Sequence, residues 1–409
     1  MTSKITIELD KKSKASSIIF DIQGDKENGL DKSIVNGIRR TLLSTIPTVA
    51  FRTDINNSDI IIKKNNSSLH NEFIADRIGL IPLYINPLEY QKQYLFHLNV
   101  KNNTSEPTTT ITANDFNIYP LKKDVDPTLL ETIDFNDYDK ENKLSDKEKE
   151  AIFKPFKFNG KNNYCIITEL KTTNSSTLQE IELYGVPSVS YAYENSKWQA
   201  VSRASYAFKK DDNLFEEIVQ QKIKINDIQK SKQAKFKKEL FISESERYFH
   251  RDQNSQPYWY TFYIDSVHFL KSKDLFILSN EIIIDQLEKI HDELPKITTE
   301  EDSFINLQEN DDSIFKLLFV GYDDTIGNII QAYISKNITE DSILSVCGYK
   351  RTHPLEDIIV FTLSLNRNNK IYQLNKPQQI VAIIELFSET CNQLIQIFSL
   401  IKSEGDKKL

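Results

Sequence analysis

The stretch Leu30–Phe51, LDKSIVNGIRRTLLSTIPTVAF, decides the reading of this chain. Leu30, Ile34, Ile38, Leu42 and Ile46 recur every four residues, and Val35 and Leu43 widen the stripe. With 3.6 residues per turn, that spacing predicts an amphipathic helix of about sixteen residues. Asp31 is placed to cap its first turn, and Pro47, which disfavours helix in the residue before it, ends it. Upstream, alternation at Ile5, Ile7 and Leu9 and again at Ile18, Phe20 and Ile22 predicts two strands, followed by a turn at Asn28-Gly29. Downstream come strands around Val49–Phe51 and Asp59–Lys63. A short helix over Leu69–Ile78 follows, stopped by Gly79 with Pro82 beyond it.

Between about Asn86 and Gln256 the texture changes. Strand-like pieces (Tyr94–Val100, Tyr164–Lys171, Gln179–Leu183) alternate with long polar stretches. Lys122–Glu150 reads as a solvated insertion, whereas Lys209–Arg247 has enough Ile, Leu and Phe for a helix or two. Regular pattern returns with a strand at Tyr258–Asp265 and a helix around Glu281–Ile290. After the acidic link Pro295–Asp302 the opening design recurs: strand Ile314–Val320, then helix Thr325–Ile334 with Ile326, Ile329, Ile330, Tyr333 and Ile334 on one face, then strand Asp357–Leu365. A last helix, about Pro377–Ser403, places Ile384, Phe387, Cys391, Leu394, Phe398 and Ile401 at alternating steps of three and four, a seam for burial against another helix. Two such modules in one chain can pair without a second copy, so no homo-oligomer is expected.

Composition narrows the function. The 409 residues carry a formal charge of −8, which argues against a chain whose main task is gripping phosphate backbones but leaves room for one local basic patch. Base-specific DNA contact is not expected. Three cysteines without CxxC spacing offer no metal frame and fit a reducing compartment. A charged N-terminus, and no apolar stretch approaching bilayer length, predict an intracellular protein without a membrane span. No glycine pattern that cradles phosphate is present, and no cofactor is expected.

Two segments carry a resemblance. NGIRRTLLSTIPTVAF (Asn36–Phe51) and SLHNEFIADRIGLIPL (Ser68–Leu83) resemble the signature of the bacterial alpha subunit, the archaeal D subunit and the third subunit of eukaryotic RNA polymerase II. SKWQAVSRASY, ending at Tyr206, is similar to that family's inserted domain. FVGYDDTIGNIIQAYI (Phe319–Ile334) and CGYKRTHPLEDIIVFTL (Cys347–Leu363) resemble the small partner, the archaeal L or eukaryotic eleventh subunit.

The resemblance implies an α+β protein. A split dimerisation domain (residues 1–85 and 257–298) would be interrupted by a mostly β inserted domain (86–256) and fused to a small-partner-like module (299–409). It implies a non-catalytic assembly subunit of DNA-dependent RNA polymerase that binds the largest and the second-largest, beta-type subunits and meets other small subunits. The fusion resembles the arrangement in large cytoplasmic DNA viruses, which places the protein in the cytoplasm, a viral factory or a virion, or in the nucleus of a cellular source. Asn36, Arg39, Arg40, Glu72 and Arg77, with Asp76, carry over as subunit-interface residues. Ile34, Ile38, Leu42, Ile326, Ile330, Phe387 and Leu394 carry over as the intrachain helix pairing. Five or six buried aliphatic side chains give on the order of 10 kcal/mol of gross stabilisation per helix pair. Many relatives carry a cysteine cluster in the inserted domain. Here that region holds only Cys165, so no metal is expected.

Competing readings are a solvated face for Arg39 and Arg40, and a free-standing adaptor of the same fold with another partner. DFNDYD (Asp134–Asp139) looks superficially like a magnesium-binding aspartate string, but it has no glycine and lies in the least patterned region, so an acidic loop accounts for it. His70 and Glu72 form an H-x-E fragment without further ligands at metal spacing. His353-Pro354 reads as a turn, and Trp198 as a packing anchor.

Overall fold

The computed structural model describes every residue except 1–3, 28, 55, 103–106, 122–141, 173–177, 299–302 and 312–313. The DFNDYD string lies outside the described residues. Eight helices occur among those described: α1 (Lys32–Ser44), α2 (Asn71–Gly79), α3 (Asp146–Ile152), α4 (Asp212–Ile225), α5 (Lys230–Glu244), α6 (Ser272–Glu293), α7 (Asp324–Lys336) and α8 (Lys376–Lys408).

α1 forms where its stripe predicts. Asp31 Oδ1 accepts the Ser33 backbone N–H at 2.7 Å, which satisfies an otherwise orphaned donor of the first turn, and a strand starts at Pro47. Its buried side is wider than the apolar stripe. Ser33, Gly37 and Thr41 are buried beside Ile34, Val35, Ile38 and Leu42.

The chain divides into two compact units. The first comprises residues 1–43, 203–265 and 272–409, and the second 44–202 and 266–271. The first contains two four-stranded sheets of matching topology. One runs in the order Thr6–Leu9, Ser17–Gln23, Trp259–Ser266, Val201–Phe208, and the other Ile305–Asp311, Ile314–Val320, Ile358–Leu365, Leu344–Arg351. Each therefore has its strands in the order first, second, fourth, third. A short amphipathic helix (α1, α7) follows the second strand, and a long helix (α6, α8) follows the fourth.

The aromatic cores repeat as well. Phe20 of a second strand stacks on Phe262 of a fourth (5.5 Å between centroids) and meets Phe276 of α6 edge-on (4.9 Å). In the other sheet Phe319 packs on Phe361 (5.1 Å), and Phe361 packs on Phe387 of α8 (5.4 Å). Edge-to-face aromatic pairs at these separations are favourable beyond the area they bury.

The second unit holds a four-stranded antiparallel sheet in the order Ile60–Asn65, Glu180–Gly185, Tyr94–Lys101, Asn117–Pro120. Among the described residues four two-stranded ribbons accompany it: Thr108–Thr112 with Ile166–Lys171, Pro47–Ala50 with Ser188–Tyr191, Thr53–Asp54 with Asn57–Ser58, and Phe156–Phe158 with Lys161–Asn163. Its core joins Val49, Phe51, Ile74 and Ile78 to Phe96, Phe116 and Phe153. These units differ from the division expected at residues 85, 257 and 299. Residues 44–85 share a core with 94–200, and strand Val201–Phe208 joins the sheet of the first unit. Residues 299–409 do not separate, because α8 lies along α6.

In the first unit three strands, Val201–Phe208, Ile305–Asp311 and Leu344–Arg351, were not expected; in the second, Thr108–Thr112, Asn117–Pro120 and Ser188–Tyr191 are among those that were not, and α6 and α8 are longer than their periodicity indicated. α8 also differs from the expectation about bilayer-length stretches, since by length and composition alone it could cross a membrane. Its apolar stripe, Phe387, Cys391, Leu394, Phe398 and Ile401, is buried within the chain.

Candidate subunit-interaction site

The site residues named from sequence fall on two helices in different units. Asn36, Arg39 and Arg40 lie on α1, and Glu72 and Arg77 lie on α2. On α1, Arg39 Nε donates to Asn36 Oδ1 at 2.9 Å, so the amide three residues back holds the guanidinium in place. Burial raises the Tyr206 hydroxyl above its ordinary pKa, and the charge of Arg39 offsets part of that rise. Asn36 and Arg39 are half-buried.

Arg40 is engaged within the chain, a role sequence reasoning did not assign. Its Nε donates to Thr325 Oγ1 at 2.9 Å and its Nη2 to Asp323 Oδ2 at 3.0 Å. Asp323 is also the N-cap of α7: its Oδ1 accepts the Thr325 N–H at 2.9 Å and its Oδ2 accepts the Thr325 hydroxyl at 2.9 Å. One carboxylate thus caps α7 and ties it to α1. The negative group at the helix N-terminus also suits the helix dipole.

The two helices meet closely below this clamp. A methyl group on Gly37 would stand 2.6 Å from Ile329 Cδ1 and 3.9 Å from Thr325 Cγ2. The absence of a Cβ therefore lets the Ile329 side chain reach the α1 backbone. Ile34, Ile38, Leu42, Ile326 and Ile330 are each under 6 % exposed, and Phe387 and Leu394 on α8 are fully buried. The small residues Ser33, Gly37 and Thr41 carry no hydrophobic periodicity, though their i, i+4, i+8 spacing was available as a signal.

In the second unit, α2 starts after His70, whose side chain makes no cap, and Glu72 is exposed. Asp76 Oδ1 accepts the Thr53 hydroxyl at 2.8 Å, and Arg77 Nη2 donates to the Ile166 carbonyl at 3.0 Å. Phe73 on α2 and Leu80, the residue that caps its C-terminus, are 62 % and 65 % exposed. Glu72 and Arg77 thus lie near apolar side chains open to solvent.

Sequence reasoning missed the polar cluster around Arg52. Its guanidinium donates to both oxygens of Glu194 at 2.8 and 3.0 Å and lies 5.3 Å from the Trp198 ring centroid. This bidentate fork holds the Glu194 carboxyl below its ordinary pKa. Asp59, nearly buried, accepts from the Ser188 hydroxyl (2.5 Å) and the Arg52 N–H (2.7 Å); burial still raises its pKa, outweighing those bonds. The carbonyl of Asp59 would stand 2.5 Å from a Cβ on Gly185, so only glycine fits there.

Trp198 is fully buried. Leu355 N donates to His353 Nδ1 at 3.2 Å in the turn before Ile358–Leu365. Cys347 and Cys391 are buried thiols whose pKa burial raises to about 12, while Cys165 is exposed. Among the described residues no three His, Cys, Asp or Glu side chains cluster to hold a metal.

Comparison with known proteins adds an independent line. The RNA polymerase Rpb3/Rpb11 dimerisation domain matches residues 26–287. The chain is 32% identical over 94 residues to a DNA-directed RNA polymerases I and III subunit, rpac1, of Dictyostelium discoideum, covering 23% of each chain. It is 46% identical over 54 residues to subunit 3 of the DNA-directed RNA polymerases II, IV and V of Arabidopsis thaliana, covering 13% of this chain and 15% of that one. It is 38% identical over 55 residues to subunit Rpo3 of Pyrobaculum arsenaticum, covering 13% and 19%. These matches span under a quarter of each relative's length.

Proposed function

The chain belongs to the RNA polymerase Rpb3/Rpb11 dimerisation-domain family, and on that premise we propose that it is an assembly scaffold of a multisubunit DNA-dependent RNA polymerase. In this reading both halves of the dimerisation platform lie in one polypeptide, with residues 299–409 as the small-partner half. The repeated first, second, fourth, third strand order, with α1 meeting α7, supports it most directly. A covalent link keeps the second half at high effective concentration, which removes much of the entropic cost of pairing.

The role is structural. The chain folds, captures the beta-type subunit and then the largest subunit, and nucleotidyl transfer belongs to the assembled complex. Asn36 and Arg39, with Glu72 and Arg77 on α2, are the residues through which it would hold the beta-type subunit. A guanidinium pre-oriented by Asn36 suits bidentate pairing with a carboxylate or carbonyl. Arg40 acts one step back, fixing α1 against α7. The cytoplasm is the proposed compartment.

Affinity purification of the chain from its native source is expected to recover two large polymerase subunits. Recovery of neither would overturn the reading. Arg39→Ala is expected to leave the melting temperature unchanged and weaken capture of the beta-type subunit about tenfold, the scale of one lost charged contact. Undiminished capture would remove Arg39 from the contact.

A further inference from the structure

Between strands Val201–Phe208 and Trp259–Ser266 the chain makes a helical hairpin, α4 and α5, with a small core of its own. Phe215, Val219 and Leu240 are buried, with Ile223, Phe236 and Tyr248 packed against them. From Lys222 to Lys238 this hairpin holds seven lysines and one acid, Asp227, a net of +6 in a chain whose total is −8. We propose that the turn end of the α4–α5 hairpin is a docking surface for the phosphate backbone of duplex DNA, read without regard to base sequence.

Two of these lysines are neutralised within the hairpin: Lys222, in the last turn of α4, pairs with Glu244 at 2.6 Å, and Lys237 pairs with Glu216. Lys235 stands 3.9 Å from Glu239, with both side chains mostly in solvent. Lys224, Lys230, Lys232 and Lys238 are exposed and make no ion pair among the described residues. The first two flank the inter-helix turn, Lys232 lies in the first turn of α5, and Lys238 lies about two turns farther along it. Lys224, in the last turn of α4, suits that helix's dipole, whereas the placement of Lys230 and Lys232 does not help the hairpin fold. Lys230 and Lys232 sit in the first turn of α5, where the helix dipole disfavours cations, and no acid or side-chain cap offsets them.

The chemistry of the surface selects the partner. A single-stranded nucleic acid is held by exposed aromatic rings on which bases stack. Here Phe236 is packed into the hairpin core, and Phe241 lies at the opposite end of α5 under Lys210. A membrane surface requires a helix with a free apolar face. Of the apolar residues of α5, Phe236 and Leu240 face α4, and the exposed Phe241 and Ile242 lie at the end of the helix away from the turn. A protein partner with acidic side chains needs a desolvated apolar centre to its interface. Ile225 is the one strongly exposed apolar side chain at the turn end. What remains is a set of exposed ammonium groups, Lys224 at the end of α4 and Lys230, Lys232 and Lys238 along the first nine residues of α5. That arrangement suits sequence-independent contact with a regularly spaced row of phosphates.

The test is binding of the purified full chain to a fluorescent DNA duplex of mixed sequence across a salt series. It is run beside a variant carrying K224Q, K230Q, K232Q and K238Q and a charge-keeping variant with arginine at the same four positions. The parent is expected to bind with an affinity that falls steeply with salt. The glutamine variant should lose at least about tenfold at low salt, and its log–log slope should become shallower by about three to four, since each phosphate contact contributes roughly 0.9. The arginine variant should retain both. All three should melt alike, because the replaced side chains are exposed. Absence of duplex binding by the parent, an unchanged slope in the glutamine variant, or tighter binding to anionic vesicles, polyglutamate or single strands than to the duplex would each overturn the proposal. Capture of polymerase subunits has no part in this readout, so either idea can fail alone.

Discussion

The first unit joins its helices in two ways. α1 and α7 are thirteen residues each and touch through a close approach at Gly37, with a polar clamp from Arg40 to Asp323 and Thr325 above it. α6 and α8 are long and antiparallel. Phe276 meets Gly405 at one end, and Lys273–Asp406 (3.3 Å) and Glu281–Lys402 (2.8 Å) follow along the edge. Short helices cannot spread their burial, so one small residue and one capping carboxylate set the geometry. Long helices distribute theirs over many side chains, and no single contact decides the pairing.

Glycine replacement should break this comparison most visibly. Gly37→Leu and Gly405→Leu each place a Cβ about 2.6 Å from a buried side chain. Gly37→Leu is expected to cost about 3 kcal/mol, the upper range for overpacking a closed site. Gly405→Leu should cost about 1 kcal/mol, because the last turn of α8 can fray and leucine is the better helix former. Denaturant melts of both variants check the ranking, and equal losses would show that the two pairings are equally local.

A smaller effect sharpens the role of the clamp. Arg40 and Asp323 are 37 % and 26 % exposed, so solvent screens their pair, and Arg40→Ala is expected to cost about 1 kcal/mol or less. In a double-mutant cycle with Asp323→Ala, coupling should be measurable and should fall with added salt. Lys402→Ala with Glu281→Ala should show less, since both of those side chains are more exposed. Coupling that is zero at Arg40 would make the clamp incidental.

The smallest expected change concerns a carboxylate that neither helix pair contains. Burial raises the pKa of Asp59, so the folded second unit favours its neutral form. The stability this confers is fully present below the unfolded-state pKa and is lost as pH rises through the folded one. Asp59→Asn, which can still accept from Ser188 and Arg52, should match or exceed the parent in thermal melts at neutral pH. It should fall behind as pH approaches 4. A constant difference between the two across that range would show that Asp59 does not titrate on its own.

Much of this was legible in the linear pattern. α1, α7 and the seam of α8 carry apolar residues at helical spacing because one face of each is dry, and most of those residues are buried, Leu43, Tyr333 and Ile384 only partly. The three unexpected strands of the first unit each lie at a sheet edge and carry weak apolar alternation, as in INLQEND at Ile305–Asp311. The pairing of Arg40 with Asp323 and of Arg52 with Glu194 spans hundreds of positions, and no local period encodes it.

The order of residues alone determined, to within two or three positions, where α1, α2 and α7 begin and end, since caps, prolines and apolar spacing act within a few positions. It also determined the repeated design at both ends of the chain. Only the tertiary structure decided which segments share a core, that residues 44–85 pack with 94–200, and that Arg40 faces inward to α7 while Arg39 rests on Asn36. Those outcomes depend on which dry surfaces meet and which charges are left in water, and both are set by the whole chain at once.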